Sequence, residues 1–321
     1  MANVIAVDLG GTNIRAARID PNGKIVAREK IPTEAAAGMQ SVCERIAGLV
    51  AKLRTAGTMA VGIGTPGVPD PETGTMRLPA VNIAGSAGFP LTPVLSKAVQ
   101  LPVKADNDGN LAALGESWKG AGKGESVVLV FTLGTGIGGG CVINGKVFHG
   151  NHNMGTEFGH VSIDYRGRQC PCGGQGCVEM YASAAALGRD AREAMRDSLS
   201  AGTSLLMKMC HGKIDTVDAR MVCEAARQGD ALALFLLDQC CLYLACGIGA
   251  LINSFNPSCV IIGGGMSLAG DALLTRIQLA LNRGRAFKPI LQDARIKLAE
   301  LGDDAGLLGA ARMALDSVEA K

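Results

Sequence analysis

The sequence predicts an α/β fold of two lobes that share an interdomain cleft, with a structural zinc loop in the second lobe. The chain has 321 residues, which is enough for two domains of ordinary size. Short apolar strands that end in glycine-rich turns alternate with helical segments, as in α/β proteins. Cysteines also cluster between residues 155 and 179. We expect a smaller α/β lobe at 1–118, completed by the C-terminal helix at about 303–321, and a larger lobe at 119–302.

The first lobe opens with a strand that runs into a glycine turn. Its predicted elements are strands at 3–7, 13–20, 24–31, 58–63 and 101–105 and helices at 35–55 and 92–99. The turn Asp8-Leu-Gly-Gly-Thr joins two antiparallel strands, so its backbone N–H groups can approach a phosphate closely. Asp8 could then hold a magnesium ion, directly or through water. An ordinary hairpin turn can have the same residues, and this alternative stays open.

The turn at 106–110, with the sequence DNDGN, separates the strand at 101–105 from a helix at 111–118. A carboxylate here can accept a proton from a substrate hydroxyl while a phosphoryl group arrives in line. Asp108 is therefore the candidate general base, and Asn107 is a candidate hydrogen-bonding partner of the substrate. An acid between a strand and a helix is also a common N-cap, which is the structural alternative.

A long apolar strand at 126–133 begins the second lobe and runs into the sequence GTGIGGG. Gly134, Gly136 and Gly139 match the dinucleotide-binding pattern GxGxxG, which requires a helix directly afterwards. The sequence instead predicts a hairpin at 141–148, because Asn-Gly separates two short apolar strands. We therefore expect a second phosphate-facing hairpin and not a Rossmann site.

Three cysteines and a histidine follow this hairpin. They are Cys170, Cys172, Cys177 and His160. Three thiolates and one imidazole suit a closed tetrahedral zinc site, and because four protein ligands leave no place for an activated water, we expect a structural metal. The nearby Glu157 and Glu179 can accept hydrogen bonds from a polyhydroxy ligand such as a sugar. A nucleic-acid zinc knuckle, or a few buried thiols with a loop histidine, can have the same residues.

The rest of the chain is predicted to be mainly helical. Helices are expected at 183–195, 217–228, 231–253, 268–282 and 304–315, and strands at 259–262 and 296–298. The first of these strands ends in Gly263, Gly264 and Gly265, whose bare backbone can lie against an adenine or a ribose. A tight strand-to-helix turn is the simpler interpretation of these glycines.

Composition disfavours several other classes of protein. The net charge is +2 and there is no basic run, which argues against a nucleic-acid surface. The longest apolar segment, 231–252, contains Asp238 and Gln239 and is interpreted as a buried helix and not as a membrane span. We expect no signal peptide, because the apolar stretch at 4–9 leads straight into a glycine turn. Of the eleven cysteines, the eight outside the zinc cluster are therefore interpreted as buried hydrophobes in a reducing cytoplasm.

Seven motifs occur in one order along the chain. They are DLGGT at 8–12, GTPG at 64–67, DNDGN at 106–110, GTGIGGG at 134–140, GTEFGH at 155–160, CPCGGQGCVE at 170–179 and GGG at 263–265. In this set the chain resembles the ROK family of bacterial sugar kinases and repressors, within the actin-like ATPase (ribonuclease H-like) fold. One departure is Thr156, where the family commonly has glycine. Because the first strand starts almost at Met1, without the DNA-binding extension of family repressors, a kinase is expected.

The resemblance implies a role for each motif. Asp108 matches the family's catalytic base. The positions that match sugar ligands are Gly67, Asn82, Asn107, Asp108, Glu157, His160 and Glu179. The positions that match the nucleotide site are Asp8, Gly10, Gly11, Thr12, Gly134, Thr135, Gly136, Gly138, Gly263, Gly264 and Gly265. The positions that match zinc ligands are His160, Cys170, Cys172 and Cys177.

On this resemblance we expect phosphoryl transfer from MgATP to the 6-hydroxyl of glucose, with ATP, Mg²⁺ and a structural Zn²⁺ as cofactors. The expected partner is a small-molecule sugar, with no nucleic acid and no membrane, and the expected state is a cytoplasmic homodimer or homotetramer. The loop at 83–88 lacks the tryptophan common here in many glucokinases of the family, which leaves an N-acetylglucosamine or N-acetylmannosamine kinase open. Kinases of fructose, mannose or allose and a sugar-sensing protein without turnover are further alternatives.

Overall fold

The computed structural model of the chain describes residues 2–197 and 204–319. The chain forms two compact units. The first comprises Met1–Ser126, Gly140–Thr156 and Glu300–Lys321, and the second comprises Val127–Gly139 and Glu157–Ala299. The chain therefore passes from one unit to the other several times, and one of these passages lies between Thr156 and Glu157.

The first unit contains a mixed sheet with the strand order β3-β2-β1-β4-β7. Its strands are β1 (Asn3–Leu9), β2 (Asn13–Ile19), β3 (Ile25–Pro32), β4 (Thr58–Thr65) and β7 (Val103–Asn107). β1, β2 and β3 pair antiparallel, whereas β4 pairs parallel with β1 and with β7. The register places Asp8 beside Gly64 and Gly64 beside Asp106. Because parallel strands end at the same edge, the first glycine turn and the DNDGN turn leave the sheet together.

Helices cover both faces of this sheet. α1 (Met39–Leu53) and α2 (Leu91–Val99) pack on one face, and α3 (Asp108–Lys119) and α11 (Ala305–Glu319) pack on the other. A small hairpin of β5 (Val68–Pro69) and β6 (Met76–Leu78) completes the unit. Alternate residues of β1 enter opposite cores, with Ile5 and Val7 on the α1 side and Val4 and Ala6 on the α11 side. This two-residue alternation with both faces buried explains why β1 is apolar from Val4 to Val7.

Close packing against α11 holds the helix that carries Asp108. A Cβ on Gly115 would overlap the carbonyl of Ala305, and a Cβ on Gly309 would overlap the carbonyl of Leu111. At the other end of α3, the buried Glu116 carboxylate accepts hydrogen bonds from the backbone N–H groups of Ala121 (3.0 Å) and Leu301 (2.8 Å). α3 is therefore fixed along its whole length, which suits a helix with a functional N-terminus.

The second sheet has the strand order β10-β9-β8-β11-β12. Its strands are β8 (Val127–Leu133), β9 (Ile137–Ile143), β10 (Lys146–Val147), β11 (Cys259–Gly263) and β12 (Arg295–Leu298). β11 pairs parallel with β8 and with β12, and β9 and β10 form the antiparallel hairpin predicted from Asn-Gly. The remaining helices are α4 (Glu179–Ala182), α5 (Ala184–Asp197), α6 (Leu205–Met209), α7 (Ala219–Arg227), α8 (Ala231–Phe255), α9 (Asp271–Asn282) and α10 (Lys288–Asp293).

α8 is the core helix of the second unit. It is the one helix in the described residues that is long and apolar enough to cross a membrane, with a hydropathy of 1.9. Leu237, Cys240, Leu244 and Ile248 are nevertheless buried within the unit, where α8 packs against α7 and α9. Asp230 begins the helix by accepting a hydrogen bond from the N–H of Ala233 (2.8 Å). This packing is that of the buried helix that the sequence predicts.

Several helix boundaries differ from the prediction. The first helix begins at Met39 and not at residue 35, because Gly38 with a φ of 89° interrupts it after a short 3₁₀ turn. α3 begins at Asp108 and not at residue 111, because Asn107 caps it. α9 begins at Asp271 and not at residue 268, again after a 3₁₀ turn. α4, α6 and α10 were not predicted, since helices of one or two turns show no usable periodicity.

All eleven cysteines are free thiols. Of the eight outside the metal cluster, six are buried, and Cys223 and Cys246 are half-buried. Burial raises the pKa of Cys43 and of Cys241 to about 12, so these thiols stay protonated at neutral pH. They therefore act as small hydrophobic side chains, as the sequence predicts for this group.

Candidate functional site

The DNDGN turn positions its residues through a cap on α3. The Oδ1 of Asn107 accepts hydrogen bonds from the N–H groups of Gly109 (2.9 Å) and Asn110 (3.4 Å), while its Nδ2 donates to the carbonyl of Gly67 (3.0 Å). Asn107 is thus the N-cap of α3. The N-cap role that was the structural alternative for an acid in this turn is filled by the Asn107 side-chain amide. Asp108 is the first residue of the helix and is exposed. Because its Oδ1 caps the helix, Asn107 can offer a ligand only its amide N–H.

A buried polar network lies beneath this turn. The Asp106 carboxylate is only 3% exposed and accepts hydrogen bonds from Asn110 Nδ2 (3.1 Å) and from Asn153 Nδ2 (3.4 Å), and its Oδ2 lies 2.6 Å from His149 Nε2. Asn153 Nδ2 also donates to the carbonyl of Pro69 (3.2 Å). Both neighbours of this amide nitrogen are acceptors, which fixes the orientation of the side chain. Among the described residues, Asn153 Oδ1 has no hydrogen-bond partner.

Asp106, His149 and Asn153 were not predicted as site residues. Asp106 could have been found, because an acid that follows a strand of a parallel sheet is a candidate for burial, and a buried charge must be paired. His149 and Asn153 are 43 and 47 residues from Asp106 in sequence, and no local pattern indicates these contacts.

The Asp8 carboxylate is paired on one oxygen. Its Oδ2 accepts a hydrogen bond from Arg15 Nε (3.0 Å) and a second, short one from the same guanidinium, which also lies 3.3 Å from Asp303. The other oxygen, Oδ1, lies beside Gly64 and Gly306, where an added Cβ would be 3.8 and 3.6 Å from it. Two glycines on this side of the carboxylate fit Mg²⁺, which binds proteins through one or two carboxylates and keeps its waters.

The remaining residues of the first turn lie between β1 and β2. The Gly10 N–H donates to the carbonyl of Asn13 (3.0 Å), and Thr12 is exposed. A Cβ on Gly11 would be 3.4 Å from Asn82 Nδ2, so the predicted sugar contact Asn82 lies over the predicted phosphate turn. These residues are therefore brought together within the first unit.

In the second unit, the glycine loop after β8 holds Glu179. The Ile137 N–H donates to Glu179 Oε2 (2.7 Å), and the Gly134 N–H donates to the carbonyl of Gly136 (2.9 Å). A Cβ on Gly136 would overlap the Glu179 carboxylate. Thr135 is exposed in this loop, and Gly138 is exposed at the start of β9. Gly136, predicted to face a nucleotide, thus also supports a carboxylate predicted to face a sugar.

Glu157 and His160 stand at the two ends of one short 3₁₀ turn, Phe158–His160. The His160 N–H donates to the Glu157 carbonyl (3.0 Å), and both side chains are exposed. Phe158 is buried, with its ring centroid 5.1 Å from that of Phe131. The buried aromatic ring anchors the turn, so the two polar side chains point away from the core.

The predicted metal ligands converge. His160, Cys170, Cys172 and Cys177 each place a ligand atom within 4.8 Å of the others. His160 Nδ1 lies 3.7 Å from Cys170 Sγ, and the Sγ atoms of Cys172 and Cys177 are also 3.7 Å apart. In a zinc tetrahedron with Zn–S bonds of 2.3 Å, neighbouring sulfurs are about 3.8 Å apart. The donor set and its spacing therefore fit zinc.

Backbone contacts shape this cluster. The Gly174 N–H lies 3.3 Å from Cys172 Sγ, and this hydrogen bond lowers the pKa of the Cys172 thiol. Burial raises the pKa of Cys177 to about 12. A bound dication would favour the thiolate form of both side chains, since metal ligands must be deprotonated. Gly176 has a φ of 74°, and a Cβ there would overlap the carbonyl of Asp164, so this knuckle requires glycine.

A cavity of about 710 Å³ lies within the second unit. It brings together three predicted nucleotide residues, Gly134, Thr135 and Gly265. Its further lining comes mainly from α7, with Arg276 from α9, and was not predicted: Ala219, Arg220, Cys223, Glu224, Arg227 and Arg276. Gly263 is buried, and a Cβ on Gly264 would overlap the backbone of Leu133. Of the three glycines at 263–265, only Gly265 lines the cavity. Its volume is ordinary for a small-molecule pocket.

Comparisons with known proteins agree with this architecture. The sequence model of the ROK family matches residues 4–317. A glucokinase from Halalkalibacterium halodurans is 39% identical over 313 residues, which cover 95% of this chain and 92% of that protein. An N-acetyl-D-glucosamine kinase from Salmonella arizonae is 32% identical over 317 residues, covering 95% of this chain and 96% of that protein.

A solved structure extends the similarity to the whole fold. The ROK family glucokinase from Streptomyces griseus, in complex with glucose and AMPPNP, superposes with a TM-score of 0.82 and 35% sequence identity. The superposition covers 98% of this chain and 100% of that chain. The family model and these relatives span nearly every element described above, and the chain belongs to the ROK family of sugar kinases.

Proposed function

We propose that this protein is an ATP-dependent glucokinase that transfers a phosphoryl group from MgATP to the 6-hydroxyl of glucose. The observation that carries the proposal is the similarity, along nearly the whole chain, to a ROK glucokinase solved with glucose and AMPPNP. The curated glucokinases at 36–39% identity support the same activity.

In this proposal Asp108 accepts the proton of the attacking hydroxyl. Its exposed carboxylate at the first residue of α3, with the backbone held by the Asn107 cap, supports this role. The protein contributes little covalent chemistry to phosphoryl transfer, so the position of the base largely decides how much it contributes to the rate. The amide N–H of Asn107 is then a hydrogen-bond donor to the sugar.

The second unit would supply acceptors for the ring hydroxyls through Glu157 and Glu179. His160 Nδ1 faces the cysteines, so its Nε2 is the nitrogen that can donate to a hydroxyl. A bound Zn²⁺ would hold this loop in shape without taking part in the chemistry. The same proposal includes four further expectations from the sequence: the lobe boundaries, the interdomain cleft, the cytoplasmic location and the homodimer or homotetramer.

The nucleotide is assigned to the cavity of the second unit, with Gly134, Thr135 and Gly265 in its wall. Backbone without side chains allows close approach of a ribose or phosphate at these residues. In the first unit, Oδ1 of Asp8 would hold a hydrated Mg²⁺. The Arg15 pair on the opposite oxygen keeps this carboxylate oriented.

A panel of sugars tests the proposal. In an assay that couples ADP release to NADH oxidation, kcat/KM for glucose is expected to exceed that for every other sugar by at least about 10-fold, which corresponds to roughly 1.4 kcal/mol of transition-state stabilisation. The panel comprises mannose, fructose, allose, N-acetylglucosamine and N-acetylmannosamine. The highest value for an N-acetylhexosamine would establish the second candidate, which the 83–88 loop without tryptophan and the relative from Salmonella arizonae favour. Sugar binding without turnover would indicate a sensing protein.

The contact between Gly136 and Glu179 gives a second prediction. Gly136→Ala is expected to raise the KM for glucose about 10-fold, because the new Cβ displaces the Glu179 carboxylate and breaks its hydrogen bond to Ile137. Steady-state kinetics with varied glucose and saturating ATP measure this. The control is Gly48→Ala in α1, where a Cβ meets no atom within 4 Å. An unchanged KM for glucose in Gly136→Ala would contradict the role of Glu179.

A further inference from the structure

Thr156 has an unusual backbone conformation. Its φ is 67°, in the left-handed region that β-branched residues rarely occupy. Such a conformation is strained and persists only where the surrounding structure imposes it. Thr156 immediately precedes Glu157, at a point where the chain passes between the two units. The strain therefore lies directly beside a carboxylate assigned to the sugar.

The loop before Thr156 is fixed at three points within the first unit. The Gly155 N–H donates to the carbonyl of His149 (2.8 Å), which closes the loop. His149 is in turn held by Asp106, and Asn153 by the carbonyl of Pro69 (3.2 Å). The loop therefore has little freedom to relax, and it imposes the left-handed conformation on its last residue.

The Thr156 hydroxyl connects this loop to the catalytic helix. Its Oγ1 lies 3.2 Å from Asn110 Oδ1 and 2.6 Å from the carbonyl of Gly155. Asn110 donates its Nδ2 to Asp106, so its Oδ1 must face the hydroxyl. Asn110 lies two residues after Asp108, in the first turn of α3. One hydroxyl thus ties the residue before Glu157 to the turn that carries the general base.

We propose that Thr156 is a positioning residue for Glu157. The contact of its hydroxyl with Asn110 fixes the backbone direction at residue 156 and thereby the position of the Glu157 carboxylate. The inference depends on the proposed function, because it assumes that Glu157 binds a ring hydroxyl of the hexose. Without the hydroxyl, Glu157 would sample several positions, and the affinity for the sugar would fall. The nucleotide cavity of the second unit contains neither residue, so the affinity for ATP would change little.

Three substitutions separate the effect of the Thr156 hydroxyl from the effects of its side-chain shape and of the backbone strain at this residue. Thr156→Val keeps the branched shape and the backbone strain but removes the hydroxyl. Thr156→Ser keeps the hydroxyl without the methyl group. Thr156→Gly removes the hydroxyl and also the φ penalty, so it folds even if the valine variant does not.

The measurements are the KM values for glucose and ATP and the Kd for glucose by calorimetry. Thr156→Val and Thr156→Gly are expected to raise the KM and the Kd for glucose about 10-fold, the size expected when the displaced Glu157 loses one hydrogen bond to the sugar. The KM for ATP is expected to stay within about 2-fold, and Thr156→Ser is expected to resemble the wild type. Normal glucose affinity in Thr156→Gly, or equal rises in both KM values, would overturn the assignment.

The calorimetric measurement of glucose binding tests this inference separately from the proposed function. Wild-type protein that binds glucose without turnover refutes the kinase, while the Kd values of the variants still decide the role of Thr156. Wild-type protein that neither binds nor phosphorylates glucose overturns both. Wild-type kinase activity together with an unchanged Kd in Thr156→Gly overturns the inference alone.

Discussion

Asp108→Asn is expected to lower kcat about 10³-fold while the Kd for glucose changes less than about 3-fold, since a positioned general base contributes 10²- to 10⁴-fold to rate. The amide keeps the size and one acceptor oxygen of the carboxylate, so it can still contact a hydroxyl. It cannot accept the proton that this hydroxyl must lose when the phosphoryl group is transferred. The loss therefore appears in kcat and not in binding. Steady-state kinetics at saturating glucose and ATP, with calorimetry of glucose binding, measure the two quantities separately.

Asp271→Asn is the matched control for this substitution. Asp271 is also an exposed aspartate at the first residue of a helix, α9, so the change removes the same charge from an equivalent position. Its kcat is expected to equal that of the wild type. If Asp108→Asn retained kcat within 10-fold of the wild type, Asp108 could not be the base. If it lost glucose binding as well, its role would be recognition of the sugar and not proton transfer.

The sequence predicted best those parts of the site whose residues are near one another in the chain. The four metal ligands span 18 residues from His160 to Cys177, and cysteine and histidine have few other reasons to recur at such spacing in a glycine-rich segment. The hairpin after β8 was also predictable, because an Asn-Gly turn decides locally between a hairpin and a helix. In both cases short-range chemistry determines the structure.

The parts that sequence reasoning missed depend on tertiary contacts. Asp106 binds His149 only because β7 ends at the edge of the sheet where the 149–156 loop lies, and no residue near either one indicates the other. The cavity wall from α7 and α9 was missed for the same reason, since Arg220 and Arg276 line one cavity only in the folded unit. From the sequence, an N-cap was considered only as an alternative role for an acid in the turn at 106–110, whereas the cap of α3 is Asn107, and Asn and Asp are equally good N-caps. The choice between them depends on backbone geometry at one residue.

Cys172→Ser is expected to abolish zinc binding, because it removes one of the four ligands, and to weaken glucose binding about 10- to 100-fold, the range by which loss of a group that orients a metal site lowers affinity or activity. Cys172 is exposed, so the substitution leaves no cavity in the core, and its effect reports on metal ligation and not on packing. A serine hydroxyl replaces a thiolate that zinc prefers, and the knuckle that carries Cys170 and Cys177 loses its closure. His160 is then free to move, and with it the short turn that presents Glu157.

Zinc content by mass spectrometry after dialysis, together with calorimetric titration of glucose, measures both effects. Cys246→Ser, at a half-buried position on α8 outside the cluster, is the control and is expected to keep zinc and glucose affinity. Removal of the metal from the wild type with a chelator is expected to reproduce the weak glucose binding of Cys172→Ser, and added zinc should restore it only in the wild type. Zinc-free protein with normal glucose affinity would show that glucose binding does not depend on the metal. In that case the buried Phe158, and not the cluster, would have to hold Glu157 and His160 in place, because it is the other anchor of the same turn.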